Sequence, residues 1–202
     1  MHITLRTEEE KDFRTVENLT REAFWNIYQP GCNEHFILHK LRSSPAFIKE
    51  LDFVAELDGE IVGNIVYAKA IAVDDAGTKH EVIGFGPISV LPSCQRQGIG
   101  AKLIEHTVDI AKQMGFRAII IFGDPAYYHR FGFENAKKYD IHMAEGENFD
   151  PFMAKELYAG SLQGITGRFF EDEAYHVSAE EFELFDKEFP AKEKIITDTQ
   201  LF

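Results

Sequence analysis

The segment Pro92-Ser93-Cys94-Gln95-Arg96-Gln97-Gly98-Ile99-Gly100-Ala101-Lys102-Leu103 has the make-up of an anion cradle. A tight, glycine-bearing loop leads into a helix that begins on small residues. Backbone N–H groups at such a start have no partner inside the helix, and the positive end of the helix dipole lies behind them. Glycines let a ligand come close to the main chain. In physical terms this is a phosphate site. Two familiar phosphate loops are excluded. The chain has no GxxxxGK[ST], and Leu103 stands where a GxGxxG dinucleotide fingerprint needs its third glycine. Residues 94–117 carry Arg96, Lys102, Lys112 and Arg117 against Glu105 and Asp109, a locally basic stretch in a chain of net charge −13. The same glycines also fit an ordinary helix start with a solvated basic face.

A second segment, Gly123-Asp124-Pro125-Ala126-Tyr127-Tyr128-His129-Arg130-Phe131-Gly132-Phe133, follows directly on the apolar run at 117–122. With the first it makes a series: strand, QxxGxG loop, helix, strand, YYxxFGF turn. At this point the chain resembles the GNAT superfamily of acetyl-CoA-dependent N-acetyltransferases. Gln95-Arg96-Gln97-Gly98-Ile99-Gly100 matches that family's Q/R-x-x-G-x-G/A pyrophosphate loop in full. Tyr128, four residues before Gly132, matches the tyrosine of its Y-x-x-x-G-F segment. In element order the resemblance runs from the first strand to about Asp140, and it is sharpest over residues 86–133.

The resemblance implies an α/β protein with the GNAT fold: a mixed, mostly antiparallel sheet flanked by helices, with two central parallel strands splayed apart. It implies acetyl-CoA as co-substrate, no metal, and a small-molecule or peptide amine as acceptor. The strand ending Ile88-Ser89-Val90 would offer backbone to the pantetheine arm. The N–H groups of Gln97, Gly98, Ile99, Gly100 and Ala101 would hold the pyrophosphate, and the Val90 N–H would polarise the thioester carbonyl. A neutral amine would attack directly in a ternary complex, and Tyr128 would protonate the departing thiolate. A phenol suits that task, because a free pKa of ~10 keeps it protonated at neutral pH. Adjacent Tyr127 is the alternative acid. The family has no single invariant base, so none carries over by position; Glu34 and Asp124 are candidates. A non-catalytic CoA-binding sensor of the same fold is the rival function.

Other residues read as structural. His35 and His39 share a helix face, but HFILH lacks the glutamate of HExxH, so a cleft rim or solvated face is the expectation. Cys94 reads as a small filler, since direct transfer needs no thiol. Residues 171–194 hold nine acids against three bases, a solvated run that would also suit a cationic acceptor.

Positioning these residues requires the following elements. Alternation over 2–7 predicts a strand, and Thr7 with Glu10 predicts a capping box opening a helix with Phe13, Val16, Leu19 and Ala23 on one face. Asn33 reads as the N-cap of a second helix that stops near Ser43-Ser44-Pro45. From Phe53 to Leu91 the period is two, with a hairpin turn at Asp58-Gly59 and another over 74–77. Residues 95–114 predict the strongest helix, closed by Gly115 and Phe116. A buried parallel strand at 117–122, a short helix at 126–131 and a strand from Phe133 follow. Residues 152–158 and 165–171 predict paired strands, and 178–189 a capped amphipathic helix. The expected division is a core over 1–145 and an extension over 146–202 packed on the same domain.

A chain of 202 residues with 45% apolar and 27% charged content can bury a real core. Its acidity disfavours nonspecific grip on nucleic acid or an anionic membrane, both of which need a basic face. Cys32 and Cys94 form no framework, no signal peptide is visible, and the densest apolar run is five residues long, far below the ~20 of a membrane span. The cytoplasm is the expected address, and a homodimer stays open.

Overall fold

The computed structural model describes residues 2–198 and 200. In chain order the elements are β1 (Ile3–Thr7), α1 (Phe13–Phe24), α2 (Glu34–Leu41), β2 (Phe53–Leu57), β3 (Glu60–Val73), β4 (Lys79–Val90), α3 (Ile99–Gln113), β5 (Ala118–Phe122), α4 (Pro125–Tyr128), β6 (Glu134–Asn135), β7 (Ile141–Met143), β8 (Phe152–Glu156), β9 (Gly167–Phe170) and α5 (Ala179–Asp186). They form two compact units. The first is Met1–Val66, Pro87–Ile104 and Glu173–Phe202; the second is Tyr67–Gly86 and Glu105–Asp172. β3, β4 and α3 run through both.

In the first unit β1 pairs antiparallel with β2, and β2 with β3. Asp58 (φ 53°) and Gly59 (φ 90°) both take the left-handed backbone that a two-residue hairpin turn requires. At Gly63 an added Cβ would lie 3.0 Å from the Ser89 carbonyl oxygen and 3.1 Å from Ile99, so only glycine lets β3, β4 and α3 approach this closely. Leu38, Leu41, Leu51, Val54 and Ile65 are fully buried here, and truncating any of the leucines or Ile65 to Ala costs about 2–5 kcal/mol.

The helix starts differ from the sequence expectation. The capping box is not Thr7 with Glu10: Glu9 and Asp12 form it, around a 3-10 turn at Glu10–Asp12 that precedes α1. Asp12 wins because Arg6 grips it at 2.6 Å and fixes it where the Glu9 N–H can donate to it, at 3.0 Å. Asn33 precedes α2 without capping it through its side chain. Its own N–H donates instead to Glu34.

Between α1 and α2 lies a buried charge cluster. Arg42 donates two bonds to Glu8 (2.6 and 3.1 Å) and one to Glu17 (2.9 Å), with its guanidinium 4.1 Å from the Phe13 ring centroid. Burial and the neighbouring Glu8 carboxylate push the Asp52 carboxyl far above the usual carboxylate range, so Asp52 keeps its proton.

α5 closes this unit. Ser178 caps it by accepting the Glu181 N–H, and it ends at Asp186, three residues short of the expected stop. Phe182, Phe185 and Phe189 pack with Phe36 into an apolar cluster. His35 does not face solvent or a cleft: it is fully buried beneath those rings. Its Nε2 meets Asp186 at 3.0 Å and its Nδ1 the Cys32 sulfur at 3.5 Å. Arg21 donates twice to the same Asp186. Burial drives the His35 imidazole down to about 4, outweighing the pull of Asp186, and the ring is neutral at physiological pH.

The second unit is ordered β3-β4-β5-β8-β6, with β9 pairing antiparallel to β3 and parallel to β7. β4 and β5 are parallel through Ile83↔Ile119. β8 and β9 do not pair with each other as expected; β8 takes β5 and β6 as partners. Gly167 explains the choice of β9, because a Cβ there would fall 2.0 Å from the Val73 carbonyl oxygen. The core on this side gathers Ala70, Ala72, Val82, Ile120, Phe152 and Phe169.

Candidate functional site

In the first unit the chain leaves β4 through Leu91, makes a 3-10 turn at Pro92–Cys94, and enters α3 only at Ile99. The helix therefore starts four residues later than the periodicity predicts. Two left-handed residues explain the delay: Arg96 (φ 60°) and Gly98 (φ 83°) cannot sit in a right-handed helix. Arg96, Gln97 and Gly98 are exposed, and a Cβ on Gly98 would meet nothing within 4 Å. The amides of Ile99, Gly100 and Ala101 belong to the first helical turn and have no acceptor within the helix.

The loop is tied to its own backbone. The Gln95 amide donates to the Val90 carbonyl at 3.1 Å, and the Gln97 amide to the Ser93 carbonyl at 3.3 Å. The Leu91 N–H donates to Val62 on β3 at 2.9 Å. Alternation along the strand therefore aims the Val90 N–H the other way, off β3, and the Ile88 N–H with it. Ser89 turns its side chain inward: its hydroxyl donates to Thr20 (3.1 Å), whose hydroxyl donates to Asn64 (3.2 Å). Thus Ile88, Ser89, Val90 and residues 95–101 form one continuous stretch of strand end, loop and helix start. The surroundings fit an anionic group, with outward amides, an open approach over Gly98 and the exposed guanidinium-bearing Arg96.

In the second unit the sequence Gly123-Asp124-Pro125 ends β5 and starts α4. Asp124 is the N-cap, accepting the Ala126 N–H at 2.9 Å. Tyr128 is 9% exposed and packs its ring against Phe85, Phe133 and Tyr127 at centroid distances of 6.0, 5.8 and 5.0 Å. It lies directly over Gly123, where a Cβ would come within 2.2 Å of the ring. Tyr127 is half-buried beneath the Arg130 guanidinium at 4.0 Å. Behind Phe85 sits Tyr67, fully buried and bonded to Thr107 at 2.9 Å. Burial raises the Tyr67 phenol far above its ordinary range.

Glu34 sits in the first unit at the start of α2. Burial raises its carboxyl, against the lowering effect of its own N–H and that of Asn33. Sequence reasoning missed Tyr67, the strained Arg96 and the stacking of Tyr128 on Gly123. The signal for the last was present, a glycine five residues before the tyrosine. Among the described residues no group of three or more His, Cys, Asp or Glu is placed to hold a metal ion. No helix among them is long and apolar enough to cross a membrane.

Comparison with known proteins agrees with this arrangement. The model of the acetyltransferase (GNAT) family matches residues 11–133. YhbS of Escherichia coli strain K12, described as an uncharacterized N-acetyltransferase, is 29% identical over 164 residues, which is 81% of this chain and 92% of YhbS. The crystal structure of YhbS in complex with CoA aligns with a TM-score of 0.77 at 25% identity, covering 88% of this chain and 93% of that one. A GNAT family acetyltransferase from Brucella melitensis, in complex with acetyl-CoA, aligns with a TM-score of 0.70 at 27% identity over 86% of this chain and 98% of its own.

Proposed function

Because the chain belongs to the GNAT acetyltransferase family, we propose that it transfers an acetyl group from acetyl-CoA to an amine by direct attack in a ternary complex. The observation that carries this reading is the stretch from Val90 to Ala101, with its outward amides and its open approach over Gly98. Both aligned structures with bound CoA or acetyl-CoA support it.

The bound thioester supplies the acetyl group. Residues 97–101 bind the pyrophosphate through backbone N–H groups, and Ile88 and Val90 present main chain to the pantetheine arm. The Val90 N–H donates toward the thioester carbonyl oxygen, which gains charge as the amine adds. The acceptor arrives as an ammonium and loses a proton before attack. Both candidate bases accept a backbone N–H, Glu34 from Asn33 and Asp124 from Ala126; Glu34 suits the role better because burial raises its proton affinity. The new N–C bond forms as the C–S bond breaks; the Tyr128 hydroxyl gives its proton to the sulfur, and the proton that the nitrogen sheds on becoming an amide restores the phenol.

The test is release of CoA thiol across a panel of amines. Turnover of at least one amine is expected, with acetyl-CoA raising the melting temperature by mass action. Tyr128→Phe keeps the ring packing, so kcat alone should fall by roughly 10²–10⁴, with Tyr127→Phe mild. Acetyl-CoA binding without turnover of any amine would favour the sensor reading. A full-rate Tyr128→Phe enzyme would remove the acid assignment.

A further inference from the structure

One face of the second unit is built differently from its surroundings. Ala118 and Ile120 of β5 point into the core with Phe152 and Phe169, so Phe122, the next residue of the same parity, extends that face to the strand end. Phe122 stacks on Phe149 (5.9 Å, 18°) and on Phe152 (5.2 Å, 27°), and Phe169 closes on it at 6.3 Å. Phe122 and Phe149 nevertheless remain 41% and 45% exposed. They form an aromatic wall with one side in water.

The floor beside this wall is made of small residues. Val82 of β4 faces the same core, so Gly84 and Gly86 share its side of the strand. A Cβ on Gly84 would strike the Ile120 carbonyl oxygen at 2.9 Å, whereas at Gly86 it would meet nothing within 4 Å. There is open space above Gly86. β3 and β4 form a hairpin, β9 is antiparallel to β3, and β5 is parallel to β4. Within this unit β4, β5 and β9 therefore run in the same direction.

Glu171 follows β9 and shares the parity of Phe169. The pairing Ile71↔Phe170 brings it beside Ala70. Its carboxyl is half-buried, and desolvation alone raises it to about 7. A desolvated carboxylate is stabilised by an incoming cation, and aromatic faces attract the same cation.

We infer that Phe122, Phe149, Phe169 and Glu171, over the small floor at Ala70 and Gly86, form the acceptor-recognition trough and select an amine carried on an apolar, ring-bearing body. This rests on the acetyl-transfer reading above. Glu171 is a recognition residue here: it meets the ammonium on entry, and the nitrogen leaves it when it passes its proton to the base. Arylalkylamines fit the trough; highly charged polyamines and aminoglycosides leave the rings unused.

The experiment compares 2-phenylethylamine with spermidine on wild type, Glu171→Gln and Phe149→Ala, by steady-state kinetics and by calorimetric titration in the presence of CoA. Wild type should bind 2-phenylethylamine at least ~10-fold more tightly than spermidine. Glu171→Gln should raise its KM and Kd about 10-fold or more while kcat changes less than about 3-fold, and Phe149→Ala should raise them about 3–10-fold. CoA affinity should be unchanged in both. If spermidine is preferred, or if neither substitution moves the Kd for 2-phenylethylamine, the trough assignment is overturned while acetyl transfer stands. The titration needs no turnover, so if no amine is acetylated it still decides the trough while the reaction reading falls on its own.

Discussion

Two stretches of the first unit treat their polar groups in opposite ways. Between α1 and α2 the Arg42 side chain is only 5% exposed, yet Glu8 and Glu17 occupy its guanidinium and Phe13 covers its face. Along residues 92–98 nearly every side chain is exposed, two residues take left-handed backbone, and the amides that follow point outward. The first stretch settles its polar partners on folding. The second holds two residues in left-handed backbone and leaves its donors open, as the proposed CoA site requires. A polar group that serves the fold is paired internally, and one that serves a ligand is kept open.

Substitutions that exchange these two treatments should separate binding from stability. Gly98→Glu puts a carboxylate over the open amides, and CoA affinity should fall at least ~100-fold by calorimetric titration. Gly98→Ala carries the same left-handed strain without the charge and should keep most of the affinity. Unchanged affinity in a folded Gly98→Glu protein would sink the cradle. Arg42→Met does the reverse. It strands Glu8 and Glu17 in the interior and should cost about 3–5 kcal/mol in denaturant unfolding, with CoA affinity intact. A loss below about 1 kcal/mol would show that this cluster is hydrated, and the contrast would fail.

Two smaller effects sharpen the comparison through pH. His35 has its imidazole depressed to about 4 in the folded protein, against 6.5 when free. The unfolded chain thus binds the proton more tightly, so stability should decline as pH falls from about 6.5 toward 4, by up to about 3 kcal/mol. Burial opposes it, but Arg21 and His35 hold the Asp186 carboxyl below its usual value, and its share of the stability is lost at still lower pH. His35→Gln should flatten the 6.5-to-4 portion of a urea-midpoint profile; an unaltered slope would assign it elsewhere. Asp52 runs the other way. Its carboxyl, raised to about 9 against 3.8 when free, binds a proton more tightly in the folded state, so stability is lost as pH climbs from about 4 to about 9. Asp52→Asn mimics the protonated acid and cannot ionise in the unfolded chain, so it should match wild type within about 1 kcal/mol near pH 4 and exceed its stability at pH 7. A variant no more stable than wild type at pH 7 would overturn this.

The legible parts of the chain were those decided by local chemistry. Asp58-Gly59 marked a hairpin because its two residues accept positive φ, and β3, β4 and β5 follow from their periods. The glycine loop and Tyr128 were legible as motifs, and Gly115 closed α3 as expected: the Phe116 N–H reaches the Ala111 carbonyl at 3.1 Å. What the sequence hid depends on partners far away in the chain. His35 looked like a rim residue because Asp186 lies 151 residues further on. The strand partners of 152–156 and 167–170 were misassigned because adjacency favours a hairpin. The Gly167 approach to Val73, which decides the pairing, is invisible to local pattern. The Thr7 cap lost to Asp12 through Arg6, a contact between a strand and a turn.

The closing of the first unit by α5 has a consequence for the order of synthesis. Arg21 and His35 are made early, and the Asp186 that satisfies both is made 165 and 151 residues later. The second unit, whose last residue is Asp172, is translated in full before α5 exists. Until then the nascent helices α1 and α2 carry a buried-type arginine without its carboxylate, and a phenylalanine face without its lid. The newborn chain therefore matures from its middle outward, and its oldest helices are the last to become secure. A chain stopped at Asp172 should be cut by protease first within α1 and α2, while β4, β5 and β8 stay protected.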